Sequence, residues 1–153
     1  MSEATRPEYY DTLLKKYLDA HLRVLLVGPP GIGKTGRITD VAQEAGYEIC
    51  VWRASLLERP DILGCFAPNF EKGVTQILPL EAVAHLQKTK EKTLLFLDDL
   101  GQAPIDVQAS LMRLFDNHAL SNNVLIWGAT NRPGDKAGVT ALCEPLLTSS
   151  LRR

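Results

Sequence analysis

One run of eight residues has the types and spacing that bind a phosphate chain. The run is Gly28-Pro29-Pro30-Gly31-Ile32-Gly33-Lys34-Thr35, which fits the pattern G-x-x-x-x-G-K-[ST] at every fixed position. Glycines suit such a loop because its backbone N–H groups turn inward around an anion, along a path with little room for a Cβ. The run therefore predicts a phosphate-binding loop, and a glycine-rich structural turn is the alternative.

Two side chains of this loop have distinct chemical roles. Lys34 is expected to reach the β- and γ-phosphates of a nucleotide, and Thr35 offers a hydroxyl oxygen to Mg²⁺, which prefers oxygen ligands. The helix that follows adds the positive end of its dipole. The residues predicted to hold the nucleotide are Gly28, Pro29, Pro30, Gly31, Ile32, Gly33, Lys34, Thr35 and Gly36.

A second, acidic element is needed, because a phosphate-binding loop alone does not hydrolyse anything. The run Leu94-Leu95-Phe96-Leu97-Asp98-Asp99 is an apolar strand that ends in two carboxylates, which is the pattern of a Walker B element. Ligands bind beyond the carboxyl ends of the strands in parallel sheets. We expect Asp98 to hold the Mg²⁺ shell and Asp99 to orient or deprotonate the attacking water. Two acids that merely cap a strand are the alternative.

Strands and helices must alternate along the chain to bring these segments together. Short apolar runs predict strands at 23–27, 47–52, 93–98 and 123–129. Apolar residues at helical spacing predict helices after Pro7, at 34–45, at 81–90 and from Pro104. The segment 55–79 is expected to be loop with a short hairpin. This pattern predicts a doubly wound α/β domain whose parallel sheet is covered by helices on both faces.

The composition is that of one globular domain spanning residues 1–153. Seventeen Lys and Arg against 18 Asp and Glu give a net charge of −1, with 45% hydrophobic and 23% charged residues. These values exclude a disordered, collagen-like or coiled-coil chain. The net charge gives no indication that the protein binds nucleic acid or a membrane. Neither a transmembrane segment nor a signal peptide is readable, so we expect a cytoplasmic protein.

Other residues that can do chemistry carry weaker signals. Cys50, Cys65 and Cys143 show no C-x-x-C pairing, so reduced, partly buried thiols are expected rather than a disulfide or a zinc site. Tyr9 and Tyr10 are expected to pack in the core rather than contact a nucleotide base.

Three segments resemble the AAA+ ATPases in their order and approximate spacing. They are GPPGIGKT, LLFLDDLGQAPIDVQASLMRLFD and VLIWGATNRPGDKAGV, and the resemblance covers roughly residues 22–147. The residues after the Walker B element, with those at 59–64 and 78–80, are most similar to the MoxR-like and dynein-related branch. By this resemblance Asn131 is the polar first sensor that positions water near the γ-phosphate, and a turn asparagine is the alternative.

The resemblance implies a P-loop NTPase fold that binds ATP and Mg²⁺ and works as a ring, usually a hexamer, on a protein client or partner subunit. In such rings an arginine from the next subunit completes the site. In family members the chain continues to this arginine, which is called the arginine finger, and then to a fifth core strand and a helical lid. The present sequence stops at Arg153. The lid is therefore expected to be missing, with Arg152 or Arg153 as the candidate finger and an exposed edge on the strand at 24–27.

One departure from the family bears on the rate of hydrolysis. Asp99 stands where the family usually has glutamate, and its shorter side chain would leave the base roughly 1 Å short, at a cost on the order of 10²-fold in rate. The predicted function is an ATPase core that remodels or assembles a macromolecular partner, as a MoxR-like chaperone does. The alternatives are a non-hydrolysing or truncated assembly module, and a DNA-replication helper such as a helicase loader.

Overall fold

The computed structural model describes residues 7–116, 118–132 and 134. The candidate finger residues Arg152 and Arg153, and the thiol of Cys143, lie outside the described residues. The expectation of partly buried thiols is confirmed for Cys50 and wrong for Cys65, which is exposed on the edge of a hairpin. Among the residues described, no helix is both long enough and apolar enough to cross a bilayer.

Helices and strands alternate as the sequence predicts. Within the described part of the chain the α-helices are α1 (Pro7–Asp19), α2 (Lys34–Glu44), α3 (Arg59–Leu63), α4 (Glu81–Lys88) and α5 (Ile105–Leu111). The strands are β1 (Val24–Val27), β2 (Glu48–Arg53), β3 (Cys65–Asn69), β4 (Val74–Leu78), β5 (Thr93–Asp98) and β6 (Val124–Thr130). Short 3-10 helices lie at Ala54–Leu56, Leu100–Gln102 and Met112–Phe115. The predicted bounds agree with these to within two residues for the four sheet strands.

Four of the strands form one parallel sheet, in the order β1-β6-β5-β2. The register pairs Val27 with Thr130 and Arg53 with Asp98. Because the strands are parallel, their carboxyl ends lie along one edge of the sheet, where ligands of such folds bind. The loop after β1, the two acids at the end of β5 and the residue after β6 therefore meet there.

The sheet is covered by apolar side chains on both faces, as the predicted doubly wound architecture requires. Alternate residues of β5 point to opposite faces, so Leu95 and Leu97 enter one core cluster and Leu94 and Phe96 enter the other. One cluster includes Ala54, Ile62, Leu86, Leu95, Leu97, Leu100, Val107, Leu111 and Ile126. The other includes Leu14, Leu18, Ile38, Val41, Ala42, Leu94, Phe96, Leu125 and Trp127. Buried runs of this kind hold the strand ends in fixed positions.

The segment after β2 contains the predicted hairpin and one helix that the sequence analysis missed. Strands β3 and β4 pair antiparallel, with Cys65 opposite Leu78. Helix α3 begins at Arg59 and is capped by Glu58, whose backbone N–H donates to Oδ2 of Asp61 at 2.7 Å. Proline at the second helical position does not break a helix, because the N–H it lacks has no partner there. Pro60 therefore lies in a helix, and the prediction of a loop at this position is wrong.

The expectation that Tyr9 and Tyr10 pack in the core is wrong. Both lie within α1, and they are 48% and 46% exposed. The buried stripe of α1 is formed instead by Leu14 and Leu18, which are 6% and 0% exposed. Both tyrosines lie in the first turns of the helix, beyond the stripe that packs against the sheet.

Candidate nucleotide site

The phosphate-binding loop connects β1 directly to α2. Gly31 and Gly33 have φ angles of 77° and 75°, in the left-handed region, and Gly33 is the N-cap of α2. A Cβ on either would meet no atom within 4 Å, so these positions need glycine for backbone conformation rather than for space. Gly28 is different, because a Cβ there would lie 3.1 Å from Cδ1 of Ile32. The expectation of little room therefore applies at Gly28 alone among these three.

The ammonium group of Lys34 joins the loop to the end of β6. Its Nζ donates to the carbonyl oxygens of Gly28 at 3.1 Å and Pro29 at 2.7 Å, and to Oδ1 of Asn131 at 3.1 Å. Asn131 is only 6% exposed, so this contact lies at the base of the site. A direct hydrogen bond thus joins the predicted phosphate-binding lysine to the predicted sensor.

Thr35 and Asp98 meet at the position predicted for the metal. The Thr35 hydroxyl donates to Oδ2 of Asp98 at 2.5 Å, while Oδ1 of Asp98 accepts from the Asp99 backbone N–H at 2.9 Å. A hydroxyl and a carboxylate are oxygen donors of the kind that Mg²⁺ takes, so the residues present fit this ion. No group of three or more His, Cys, Asp or Glu among the described residues could hold a metal. Mg²⁺ commonly takes only one or two protein ligands, with phosphates and water in the rest of its shell, so the pair formed by Thr35 and Asp98 is compatible with this ion.

Asp99 is held in an unusual backbone conformation beside Asp98. Its φ and ψ are 54° and 36°, a left-handed region that aspartate enters more readily than most residues. Burial raises the pKa of its carboxyl group, and the neighbouring charge of Asp98 raises it further. The positive charges of Arg53 and Lys34 act in the opposite direction. The Asp99 carboxylate is therefore a stronger base than an exposed aspartate.

The end of β6 is tied to the segment that follows these acids. The hydroxyl oxygen of Thr130 accepts from the Gly101 backbone N–H at 3.1 Å, and its carbonyl oxygen accepts from the Gly28 N–H at 3.2 Å. Thr130 is 4% exposed, so both bonds are shielded from water. They hold the phosphate-binding loop, the acids and Asn131 in one arrangement.

The described residues predicted to act in catalysis or metal binding, which are Lys34, Thr35, Asp98, Asp99 and Asn131, all line one cleft of about 250 Å³. Its lining residues are Pro30, Gly31, Gly33, Lys34, Thr35, Asp98, Asp99 and Asn131. A second cleft of about 380 Å³ shares Gly33 and Lys34 with it. Its lining residues are Tyr10, Leu14, Leu26, Val27, Gly28, Pro29, Ile32, Gly33, Lys34, Arg37, Ile38 and Arg132. Gly36, which was predicted to touch the nucleotide, is not among the described residues that line either cleft.

The sequence analysis missed three residues of this region. Arg53 ends β2, opposite Asp98, and its charge acts on Asp99; the rule that strand ends meet at one edge would have found it. Arg37 lies one turn into α2, and Arg132 follows Asn131, and both line the second cleft. The signal in the sequence that could have identified Arg37 and Arg132 is that they lie close to predicted site residues along the chain.

Comparison with known proteins supports the interpretation of these segments. Residues 24–139 match the model of the family described as "ATPase family associated with various cellular activities (AAA)". The chain is 34% identical over 119 residues to the human ATPase family gene 2 protein homolog B, a match that covers 72% of this chain and 15% of that protein. It is 30% identical over 121 residues to the ATPase family gene 2 protein of Schizosaccharomyces pombe, covering 72% and 14%. The chain thus spans about one seventh of the length of these relatives.

The fold of this chain is also similar to the folds of solved structures. The Thermotoga maritima RuvB Holliday junction branch migration motor superposes with a TM-score of 0.60 at 23% identity, over 94% of this chain and 43% of that one. At this identity the likeness concerns the fold alone. The family match covers most of the chain, including the phosphate-binding loop, both acids and Asn131. The chain therefore belongs to the AAA family of ATPases, with a P-loop nucleotide-binding fold.

Proposed function

We propose that this chain binds ATP with Mg²⁺ in the two adjoining clefts and hydrolyses it. The observation that supports this best is the lining of the smaller cleft. A lysine, a hydroxyl, two carboxylates and an amide, brought from three distant segments, face one space of about 250 Å³. Family membership supports nucleotide binding, and hydrolysis by this chain is our inference from the side chains.

Lys34, Thr35 and Asp98 bind the phosphates and the metal in this proposal. The three acceptors that now surround the Lys34 ammonium are exchanged in part for β- and γ-phosphate oxygens, to which its charge is better suited. Thr35 and Asp98 supply one oxygen each to Mg²⁺. When bound, the metal neutralises charge that develops on the phosphate oxygens.

Asp99 and Asn131 act on the attacking water. Phosphoryl transfer is catalysed mainly by positioning and electrostatics, so a carboxylate and an amide that face the same space are sufficient to orient a water molecule. Burial raises the pKa of Asp99, which makes its carboxylate a better proton acceptor than an exposed aspartate. Asn131 is fixed by its hydrogen bond to Lys34 and so senses the group that the lysine binds.

Nucleotide binding without hydrolysis is the second candidate function. It is favoured by Asp99, which is one methylene shorter than the glutamate usual in the family and is held in a left-handed conformation. If the carboxylate does not reach the water, ATP binding serves assembly alone. Release of inorganic phosphate, measured at several protein concentrations for the wild type and Asp99→Asn, separates the two functions. Phosphate release by the wild type that Asp99→Asn abolishes supports the ATPase. No phosphate release by the wild type supports nucleotide binding without hydrolysis, and equal rates above zero for both proteins contradict the role of Asp99.

We further propose that the chain acts within a larger protein that forms a ring, with a hexamer as the expected number of subunits, and remodels a protein client in the cytoplasm. The segments that resemble the MoxR-like branch form the 3-10 helix Leu100–Gln102 with α5, which follow the Walker B element, and also α3 and the end of the β3–β4 hairpin. The comparisons match the AAA family as a whole, so the MoxR-like branch and chaperone role stay predictions. The finger role of Arg152 or Arg153 also stays a prediction. Binding to single-stranded DNA that weakens steeply with salt would favour the helicase-loader alternative.

A further inference from the structure

The backbone pairing between β5 and β6 ends before it reaches the two side chains assigned to the attacking water. The last pair of this ladder is Leu97 opposite Gly128. Asp99 and Asn131 lie two and three residues beyond that pair. The distance between the Asp99 carboxylate and the Asn131 amide is therefore set by contacts that lie beyond the ladder.

One buried hydroxyl group bridges the two strand ends at this point. Oγ1 of Thr130 accepts from the Gly101 backbone N–H at 3.1 Å and donates to the backbone carbonyl of Asn131 at 3.2 Å. A hydroxyl can donate and accept at the same time, so one atom makes both bonds. Thr130 is almost fully buried, which keeps water from competing for them.

The bond to Gly101 constrains the turn that carries Asp99. Asp99 has a φ of 54°, and the 3-10 helix Leu100–Gln102 begins directly after it. The Gln102 N–H donates to the Asp99 carbonyl oxygen at 3.0 Å, so Asp99 and Gly101 belong to one tight turn. A residue other than glycine stays in the left-handed region where surrounding contacts hold it there. The Thr130 hydroxyl supplies such a contact two residues from Asp99.

Apolar packing holds the same turn against the same strand. Leu100 is 2% exposed, and a Cβ on Gly128 of β6 would lie 2.5 Å from its Cδ1. The missing side chain at Gly128 therefore lets the turn lie directly on β6. Apolar contact has no preferred direction, whereas a hydrogen bond does. The Thr130 hydroxyl thus determines which backbone group of the turn faces the strand.

The side chain of Thr130 is separate from the groups that bind phosphate and metal. Thr130 contacts the phosphate-binding loop through its backbone carbonyl oxygen, which accepts from the Gly28 N–H at 3.2 Å. It is not among the described residues that line the phosphate cleft. A change confined to the hydroxyl therefore leaves Lys34, Thr35 and Asp98 with the contacts described above.

We propose, on the basis of the hydrolysis proposed above, that Thr130 is a positioning residue whose hydroxyl sets the distance between the Asp99 carboxylate and the Asn131 amide. The two groups orient one water molecule only when this distance is correct. A displacement of about 1 Å costs on the order of 10²-fold in rate, so hydrolysis depends on Thr130. Binding of MgATP does not, because other residues hold the phosphates and the metal.

Thr93 offers a matched control at the opposite edge of the sheet. It begins β5, is 2% exposed, and its hydroxyl donates to the Glu91 carbonyl oxygen at 3.1 Å. Thr93→Val and Thr130→Val each remove the hydroxyl of one buried strand threonine with little change of shape. The test measures kcat for phosphate release at saturating MgATP, and the Kd of MgATP by calorimetry, at the same protein concentrations for every variant.

A second pair of variants serves if Thr130→Val does not fold. Thr130→Ser and Thr130→Cys differ in one atom, an oxygen that accepts a hydrogen bond well or a sulfur that accepts it weakly. Thr130→Ser should therefore retain the rate of hydrolysis, and Thr130→Cys should lose it.

Thr130→Val and Thr130→Cys are expected to lower kcat by about 10-fold to 100-fold. Thr130→Ser and Thr93→Val should keep kcat within about threefold of the wild type, and the Kd of MgATP should stay within about twofold in all four variants. Loss of rate without loss of affinity, restored by serine, separates positioning from general destabilisation.

Three results overturn the proposal and leave the nucleotide site intact. They are a wild-type kcat in Thr130→Val or Thr130→Cys, an equal loss of kcat in Thr93→Val, and a loss of MgATP affinity as large as the loss of rate. A wild type that binds MgATP but releases no phosphate contradicts the proposed hydrolysis, and this inference with it.

Discussion

The hydroxyl of Thr35 and the carboxylate of Asp98 lie 2.5 Å apart, although 63 residues separate them in the chain. Thr35 is the second residue of α2 and Asp98 ends β5, so the contact exists only when the strands of the sheet are correctly ordered. It joins the phosphate-binding loop to the acidic strand end at the position where both can reach one metal ion.

The first prediction concerns this pair. Thr35→Ser keeps the hydroxyl and should bind MgATP within about twofold of the wild type, whereas Thr35→Ala should lose about tenfold or more, the equivalent of ~1.4 kcal/mol. The difference should disappear when binding is measured in EDTA, because the hydroxyl then has no metal to hold. Fluorescence titration with and without Mg²⁺ measures both effects. A loss in Thr35→Ala that is equally large in EDTA would contradict the metal role.

The second prediction concerns Lys34. Lys34→Ala should reduce MgATP affinity by about 100-fold or more, since it removes the charge that faces the phosphates. It should also lower the melting temperature slightly, because Oδ1 of the buried Asn131 loses its donor. Lys72→Ala, in the exposed turn between β3 and β4, is the control for loss of one positive charge. Equal affinity of Lys34→Ala and wild type by calorimetry would remove the nucleotide assignment.

The third prediction concerns the pH dependence of stability. Because the pKa of Asp99 is raised in the folded protein, the native state holds this proton more tightly than the unfolded chain does. The resulting stability is present at low pH and is lost as the pH rises through the raised pKa. Asp99→Asn removes the charge but tolerates the left-handed conformation, so it should melt at a higher temperature than the wild type at pH 7.

The difference in melting temperature between Asp99→Asn and the wild type should shrink towards zero as the pH falls below the pKa of Asp99, because the wild-type side chain is then also neutral. Thermal melts by circular dichroism between pH 4 and 8 follow this trend. Glu71→Gln, at an exposed turn, controls for the loss of one carboxylate elsewhere and should show no such trend. A gap that is constant with pH would mean that burial does not perturb Asp99.

The fourth prediction compares two glycines of the hairpin segment. Gly64 has φ 86° and ψ 179°, a conformation open only to glycine, and a Cβ there would collide with the Leu78 carbonyl. Gly73 has φ 62°, and a Cβ there would meet nothing within 4 Å. Gly64→Ala should therefore destabilise the protein by ~2 kcal/mol or more, and Gly73→Ala by ~1 kcal/mol. Urea unfolding of both variants measures the difference, and equal costs would contradict it.

Local patterns and one topological rule were enough to predict the parallel sheet and to bring the candidate chemical residues Lys34, Thr35, Asp98, Asp99 and Asn131 to one edge of it. The loop from Gly28 to Thr35 is recognisable without structure, and the rule about strand ends brings Asp98 beside it. The contacts of Tyr10 were not predictable, because they depend on how α1 crosses α2. Helix α3 was missed because a proline near a helix start resembles a proline in a loop. Features that depend on packing between distant elements could therefore not be predicted from the sequence, whereas features that depend on local sequence could.

The hydrogen bond between Lys34 and Asn131 spans 97 residues of sequence, and this has a consequence for folding equilibria. Partial opening of the sheet at either β1 or β6 dismantles the binding site, so a ligand binds only fully assembled molecules. A nucleotide at 100 times its Kd would then stabilise the assembled state by about 2.7 kcal/mol. Amide hydrogen exchange in β1, β5 and β6 should slow together on its addition, as one cooperative unit.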